Sequence, residues 1–142
     1  MNIKLRVANL VKKYGTANPY YLANDLSIAV MELALPASVR GFKVRALGQK
    51  YIALNTALSE ANQKVVLCHE LGHARLHPAY GYYYTLNGTY FIKSRKEAEA
   101  NEFAAHLLSY SSDVDSSLLA KIIKEKRPDS RLVHQILSEL TM

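Results

Sequence analysis

Residues 69–73 read His69-Glu70-Leu71-Gly72-His73, two imidazoles four positions apart with a carboxylate directly after the first. On a helix this spacing puts both rings on one face, about 6 Å apart along the axis, close enough to share one tetrahedral zinc with Zn–N bonds of about 2.0–2.1 Å. Glu70 falls beside that stripe. A carboxylate there can reach a water activated by the metal without occupying a coordination position, as a general base must.

Two nitrogens do not hold a catalytic zinc, so a third ligand has to come from elsewhere in the chain. His77 continues the row, but along a straight helix it lies about 12 Å from His69, too far for one ion unless the helix breaks early. A metzincin continuation requires glycine at 76 and histidine at 79, where this chain has Leu76 and Ala79. A carboxylate from a second helix is the remaining source, and residues 97–105 offer Glu97 and Glu99. Glu97 shares a helical row with Ala100, Asn101, Ala104, Leu107 and Leu108, small or apolar residues that let two helices approach closely. Glu99 shares its row with Glu102, Phe103 and His106, which reads as the wetter side. Glu97 is therefore the preferred third ligand. Asn101, one turn on, is expected to hydrogen-bond a ligand imidazole and fix its tautomer. Zn2+ suits this set, as do Mn2+ and Fe2+.

Such a site needs two facing helices and a scaffold to hold them. The chain has 142 residues, 49% hydrophobic and 21% charged, enough for one core and too short for a multi-domain enzyme. No run approaches the roughly 18 apolar residues of a membrane span, and the N-terminus lacks a signal-peptide core. The single cysteine, Cys68, excludes an internal disulfide framework and is expected in the core. A cytoplasmic protein without membrane contact is expected. The net charge of +6 is spread over most of the chain and no recognition helix stands out, so direct DNA binding is not expected.

The pattern predicts a helix over residues 3–14 with Gly15 beyond its end, and a short helix opened by Asn18-Pro19. A strand from residue 28 and a hairpin of residues 41–47 and 50–54 about Gly48-Gln49 follow. Ser59 caps the metal helix, which Pro78 stops. Residues 82–86 and 89–92 flank Asn87-Gly88 as a second hairpin, ahead of a helix from about 96 to 110. Two more helices, around 117–126 and 130–140, complete the chain. The expected fold is α+β, a single compact domain. A small antiparallel or mixed sheet lies beside two central metal-binding helices, with peripheral helices at both termini. Within it, about 1–58 form the N-terminal helices and sheet, 59–110 the metal-binding core and 111–142 the C-terminal helices.

The tyrosine-rich stretch between the motif helices makes Tyr82 and Tyr84 candidate contacts to a tetrahedral oxyanion or to an extended substrate, set against aromatic cross-strand packing. His106 is a further transition-state candidate, set against a solvated helix histidine.

The combination of His69-Glu70-Leu71-Gly72-His73, Leu76-His77-Pro78, a tyrosine-rich segment and residues 97–108, preceded by Ile52-Ala53-Leu54-Asn55, resembles the ImmA/IrrE family of zinc metallopeptidases. The resemblance spans about residues 3–110. It implies intracellular, site-selective proteolysis of a helix-turn-helix repressor of a phage, an integrative element or a stress response. It also implies a gluzincin-like ligand set of His69, His73 and Glu97, with Glu70 as the base. Many relatives end the second motif in Leu-Leu-Met-Pro, where this chain has Leu107-Leu108-Ser109-Tyr110. The basic C-terminal residues, Lys124 and Lys126 among them, are candidates for docking such a repressor. A competing expectation is an antirepressor that acts by binding, with a structural or absent metal. Glu70 argues for the enzyme, because a structural site has no use for a carboxylate beside the water and closes its fourth position with Cys or His.

Overall fold

The structure is a computed structural model that describes residues 1–78 and 90–111, with residues 90–94 described by their backbone alone. Helix α1 (Ile3–Tyr14) starts at Asn2, whose side chain accepts from the Leu5 N–H, and buries Ile3, Val7 and Leu10 along one stripe. Gly15 follows it in the left-handed region. Helix α2 (Pro19–Asp25) opens as expected on Asn18, whose side-chain oxygen accepts from Tyr20 N–H at 2.9 Å, with Pro19 in the first turn.

Strands β1 (Ile28–Leu33), β2 (Gly41–Ala46) and β3 (Gln49–Asn55) form one mixed sheet in the order β1-β3-β2. The central β3 runs parallel to β1 and antiparallel to β2. The β2–β3 turn sits one residue earlier than the sequence suggested. Leu47 and Gly48 occupy its centre, both at positive φ (51° and 79°), and Ala46 pairs with Gln49. Two positive-φ residues give the turn a twist that matches its strands. The register is also held at Gly41, which pairs with Leu54. A Cβ on Gly41 would lie 2.8 Å from Val66 Cγ1, and the expected turn would bring Lys43 opposite Leu54 instead.

Asn55 ends β3 in a buried position and acts as a knot. Its Oδ1 accepts from Ala57 N–H at 3.0 Å and Leu35 N–H at 3.5 Å. Its Nδ2 donates toward the carbonyls of Val39, Leu35 and Pro36 at 2.9, 3.2 and 3.3 Å. Gln63 in turn donates to the Asn55 carbonyl at 3.2 Å. One side chain thus ties the β1–β2 connection to the strand that leads into the next helix. Asn55→Ala is expected to lose about 1–3 kcal/mol, because buried backbone groups are left unpaired, and urea unfolding reads this directly.

Helix α3 (Glu60–Leu76) is capped by Ser59, whose Oγ accepts from Asn62 N–H at 3.2 Å. It packs on β2 and β3 and also on helix α4 (Tyr90–Leu108). The approach to α4 is close. A Cβ on Gly72 would sit 3.1 Å from the Cα and carbonyl oxygen of Ala100 and from Phe103 Cβ, so glycine here and alanine opposite are what bring the two helices together.

Two expectations for α4 are overturned. Residues 90–92 are helical, not the second strand of a hairpin, because no glycine or proline separates them from the helix that follows. Extending a helix already nucleated adds one hydrogen bond per residue and overrides the strand preference of Tyr-Phe-Ile, which depends on a sheet partner to pack against. Nor is the Glu99 row wet: Phe103 and His106 are buried, since α1 packs on α4 as well as α3 does. The expected strand 82–86 and the helices after residue 111 lie outside the described residues. Among those described, no helix is long and apolar enough to cross a membrane.

Candidate metal centre

Four residues apart on α3, the rings of His69 and His73 meet edge to face, with centroids 4.7 Å apart. Their Nε2 atoms are 3.1 Å from one another. Glu97, on α4, closes the triangle, with Oε2 2.9 Å from His69 Nε2 and Oε1 3.2 Å from His73 Nε2. A tetrahedral ion with bonds of about 2.0–2.1 Å needs its ligand atoms about 3.3–3.4 Å apart. The three donors already form nearly such a face, and two imidazoles with one carboxylate suit a divalent metal. The fit is good.

Asn101 stands where the helical spacing put it. Its Oδ1 lies 2.7 Å from His69 Nδ1, and an amide oxygen only accepts, so Nδ1 carries a proton and Nε2 is the nitrogen left to face the cluster. Glu70 is half-buried beside the row. Burial raises its carboxyl above the usual range, the Glu97 charge adds to this, and His69 and Lys43 oppose it. Cys68 is in the core, its thiol pushed up to about 12 by burial. Tyr82 and Tyr84 lie outside the described residues.

His106 is not brought to the cluster. It lies nine residues beyond Glu97, half a revolution round α4 and about 13 Å along it. It is buried instead of solvated, with Nε2 3.6 Å from Glu102 Oε1.

Two contacts are not readable from the sequence. Glu99 is not among the three converging donors but pairs with His77, its Oε1 3.3 Å from His77 Nε2. Lys43 reaches from β2 to the end of α3, donating to the carbonyls of His77 at 3.0 Å and Pro78 at 3.3 Å. Burial lowers its ammonium to about 8, against the pull of the Glu70 charge. A strand lysine reads as solvated, so nothing local announced this contact. The His77-Pro78 pair did carry a signal, since a residue before proline is steered out of the helical region.

The electrostatics divide the cluster. Burial would raise the Glu97 carboxyl, yet hydrogen bonds with His69 and His73 hold it well below the usual carboxylate range. Burial takes His73 down to about 4, partly opposed by Glu97. Burial also works to lower His69, but hydrogen bonding to Glu97, the two nearby carboxylates and Asn101 together leave it raised. A histidine with a depressed folded value is a liability in acid. Between pH 6.5 and 4 the unfolded chain takes up a proton that folded His73 refuses, so metal-free protein should lose up to about 3 kcal/mol relative to His73→Gln across this window. Chemical denaturation of both proteins at several pH values measures it, and parallel curves would contradict it.

A mixed sheet carries one helix that presents two histidines to a glutamate on the next, a donor set that could hold a divalent metal between helices. Residues 23–127 match the peptidase M78 family, described as the IrrE N-terminal-like domain. The chain belongs to this ImmA/IrrE family of metallopeptidases. It is 42% identical over 106 residues to "Uncharacterized immunity region protein 2" of Bacillus phage phi105, a match covering 75% of this chain and 67% of that protein. It is 30% identical over 108 residues to "Metallopeptidase ImmA" of Bacillus subtilis (strain 168), covering 75% of this chain and 62% of that one. The chain therefore spans about two thirds of the length of these relatives. No solved structure matches it.

Proposed function

We propose that this chain is a zinc-dependent metallopeptidase, gluzincin-like in its ligands, that site-selectively cleaves a helix-turn-helix repressor of a phage or mobile element. The observation that carries the chemistry is the convergence of His69 Nε2, His73 Nε2 and both Glu97 oxygens beside Glu70. His69, His73 and Glu97 would hold the ion, and the ion supplies Lewis acidity to a water and to the scissile carbonyl. The rest falls to the chain's own groups. Glu70 accepts the proton of the attacking water and returns it to the leaving amine, a role that suits a carboxyl whose proton affinity burial raises. Asn101 holds the His69 tautomer. No covalent intermediate is required.

The immunity-region name of the phage relative supports a repressor as the target. The test is incubation of the metal-loaded protein with the helix-turn-helix repressor encoded beside it, with and without chelator. Discrete fragments that chelator abolishes are the expected result. Loss of repressor activity without any cleavage would instead favour an antirepressor that acts by binding.

A further inference from the structure

His73 is almost fully buried, and the ring nitrogen that faces away from the cluster does not point to solvent. Its Nδ1 lies 3.4 Å from His77 Nδ1, and His77 Nε2 lies 3.3 Å from Glu99 Oε1. The tautomers then follow one from another. An ionised carboxylate only accepts, so His77 Nε2 carries the proton shared with Glu99. In a neutral ring His77 Nδ1 is then an acceptor, and the proton between the rings belongs to His73 Nδ1. Once an ion takes the place of the proton shared with Glu97, His73 Nε2 is left with its lone pair toward the site, the form in which His73 can ligate through this nitrogen.

His77 is held for this contact by its backbone as well. Its N–H still donates to the His73 carbonyl at 2.8 Å, while its own carbonyl accepts from Lys43 Nζ at 3.0 Å. Between these anchors φ is −135° and ψ is 65°, which takes the residue off the helix. The ring thus swings in beside His73, with centroids 5.6 Å apart and planes tilted by 51°. Pro78 enforces the departure, because its ring disfavours a helical residue before it.

We propose that Glu99 and His77 form a positioning relay that fixes the tautomer and orientation of His73 for metal binding, with Lys43 as the tether that keeps His77 in place. The inference rests on the reading of His69, His73 and Glu97 as the metal centre. Neither His77 nor Glu99 touches the ion; each acts through His73. Partners of this kind are worth 10–100-fold in metal affinity.

The test uses the full chain, titrated with Zn2+ in competition with a chelating dye. His77→Ala and Glu99→Ala should each weaken affinity by about 10–100-fold, and Glu99→Gln, whose amide oxygen still accepts, by less than Glu99→Ala. Because Glu99 acts through His77, the double variant should bind no more weakly than His77→Ala. Arg95→Ala, which removes only the exposed partner 3.8 Å from Glu99, serves as the control expected to leave affinity unchanged. In zinc-loaded wild type the His73 ring N–H should give an exchange-protected proton resonance whose protection falls in Glu99→Ala, where the His77 ring still covers it and packing on His73 is kept. Melting of the metal-free proteins shows whether each variant folds. If His77→Ala does not, the two Glu99 variants decide. Affinities within twofold of wild type, or losses that multiply in the double variant, overturn the relay. Failure of the wild type itself to bind Zn2+ overturns the metal-centre reading instead.

Discussion

Glu70→Gln should keep its fold and its metal yet lose peptide cleavage by on the order of 10²–10⁴, the range for a lost general base. The substitution is nearly isosteric, and Glu70 lies outside the group of His69, His73 and Glu97 whose donor atoms converge. Metal content should therefore stay close to that of wild type. What disappears is the acceptor for the proton of the attacking water, because an amide cannot take it up. The same carboxyl senses Lys43, whose charge lowers its proton affinity against the effect of burial. Lys43→Met should consequently raise the acidic limb of the pH–rate profile while leaving the general-base role intact. Cleavage by Glu70→Gln at a near-wild-type rate would remove Glu70 from the mechanism. A parallel loss of metal would make it a ligand.

What the sequence made legible follows from how local each signal is. The histidine spacing, the Ser59 cap and the glycine of the motif all act within one helix, and α3 runs from Glu60 to Leu76 as those residues dictate. Asn101 was legible because one helical turn from Glu97 is a fixed distance, and its hydrogen bond to His69 follows once the helices face each other. Glu97 and not Glu99 converges on the two imidazoles, although the ground of a wet Glu99 row holds only for Glu99 and Glu102, since Phe103 and His106 of that row are buried. His77 was set aside on the geometry of a straight helix. The helix ends at Leu76, so His77 is already off it, and Pro78 carries that information. Lys43 and the Asn55 knot depend on which residues meet across the sheet and the α3 terminus, and no periodicity encodes that.

Removing Glu97 should empty the site, and removing Glu99 should not. Structural zinc sites with four protein ligands are worth about 10–16 kcal/mol, so one ligand accounts for roughly 3 kcal/mol, or two to three powers of ten in affinity. Glu97→Ala should fall by at least that much, because Glu97 also contributes the cluster's one negative charge at contact distance from both imidazoles. His69→Ala should behave alike. At a metal concentration that just saturates wild type, both variants should carry far less than one equivalent per chain by elemental analysis. Glu99→Ala loses at most an outer-shell contact, so it should still fill when metal is raised. Proton release offers an independent reading. Glu97 is among the groups that keep His69 raised, so metal entering the wild-type site competes with a proton on that ring. Calorimetric titrations in buffers of different ionisation enthalpy should show this release in wild type and less of it per metal bound in Glu97→Ala. The reverse order of the two glutamates, with Glu99→Ala empty and Glu97→Ala full, would move the third ligand to Glu99 and leave the convergence of Glu97 on the two imidazoles an ion pair without a metal.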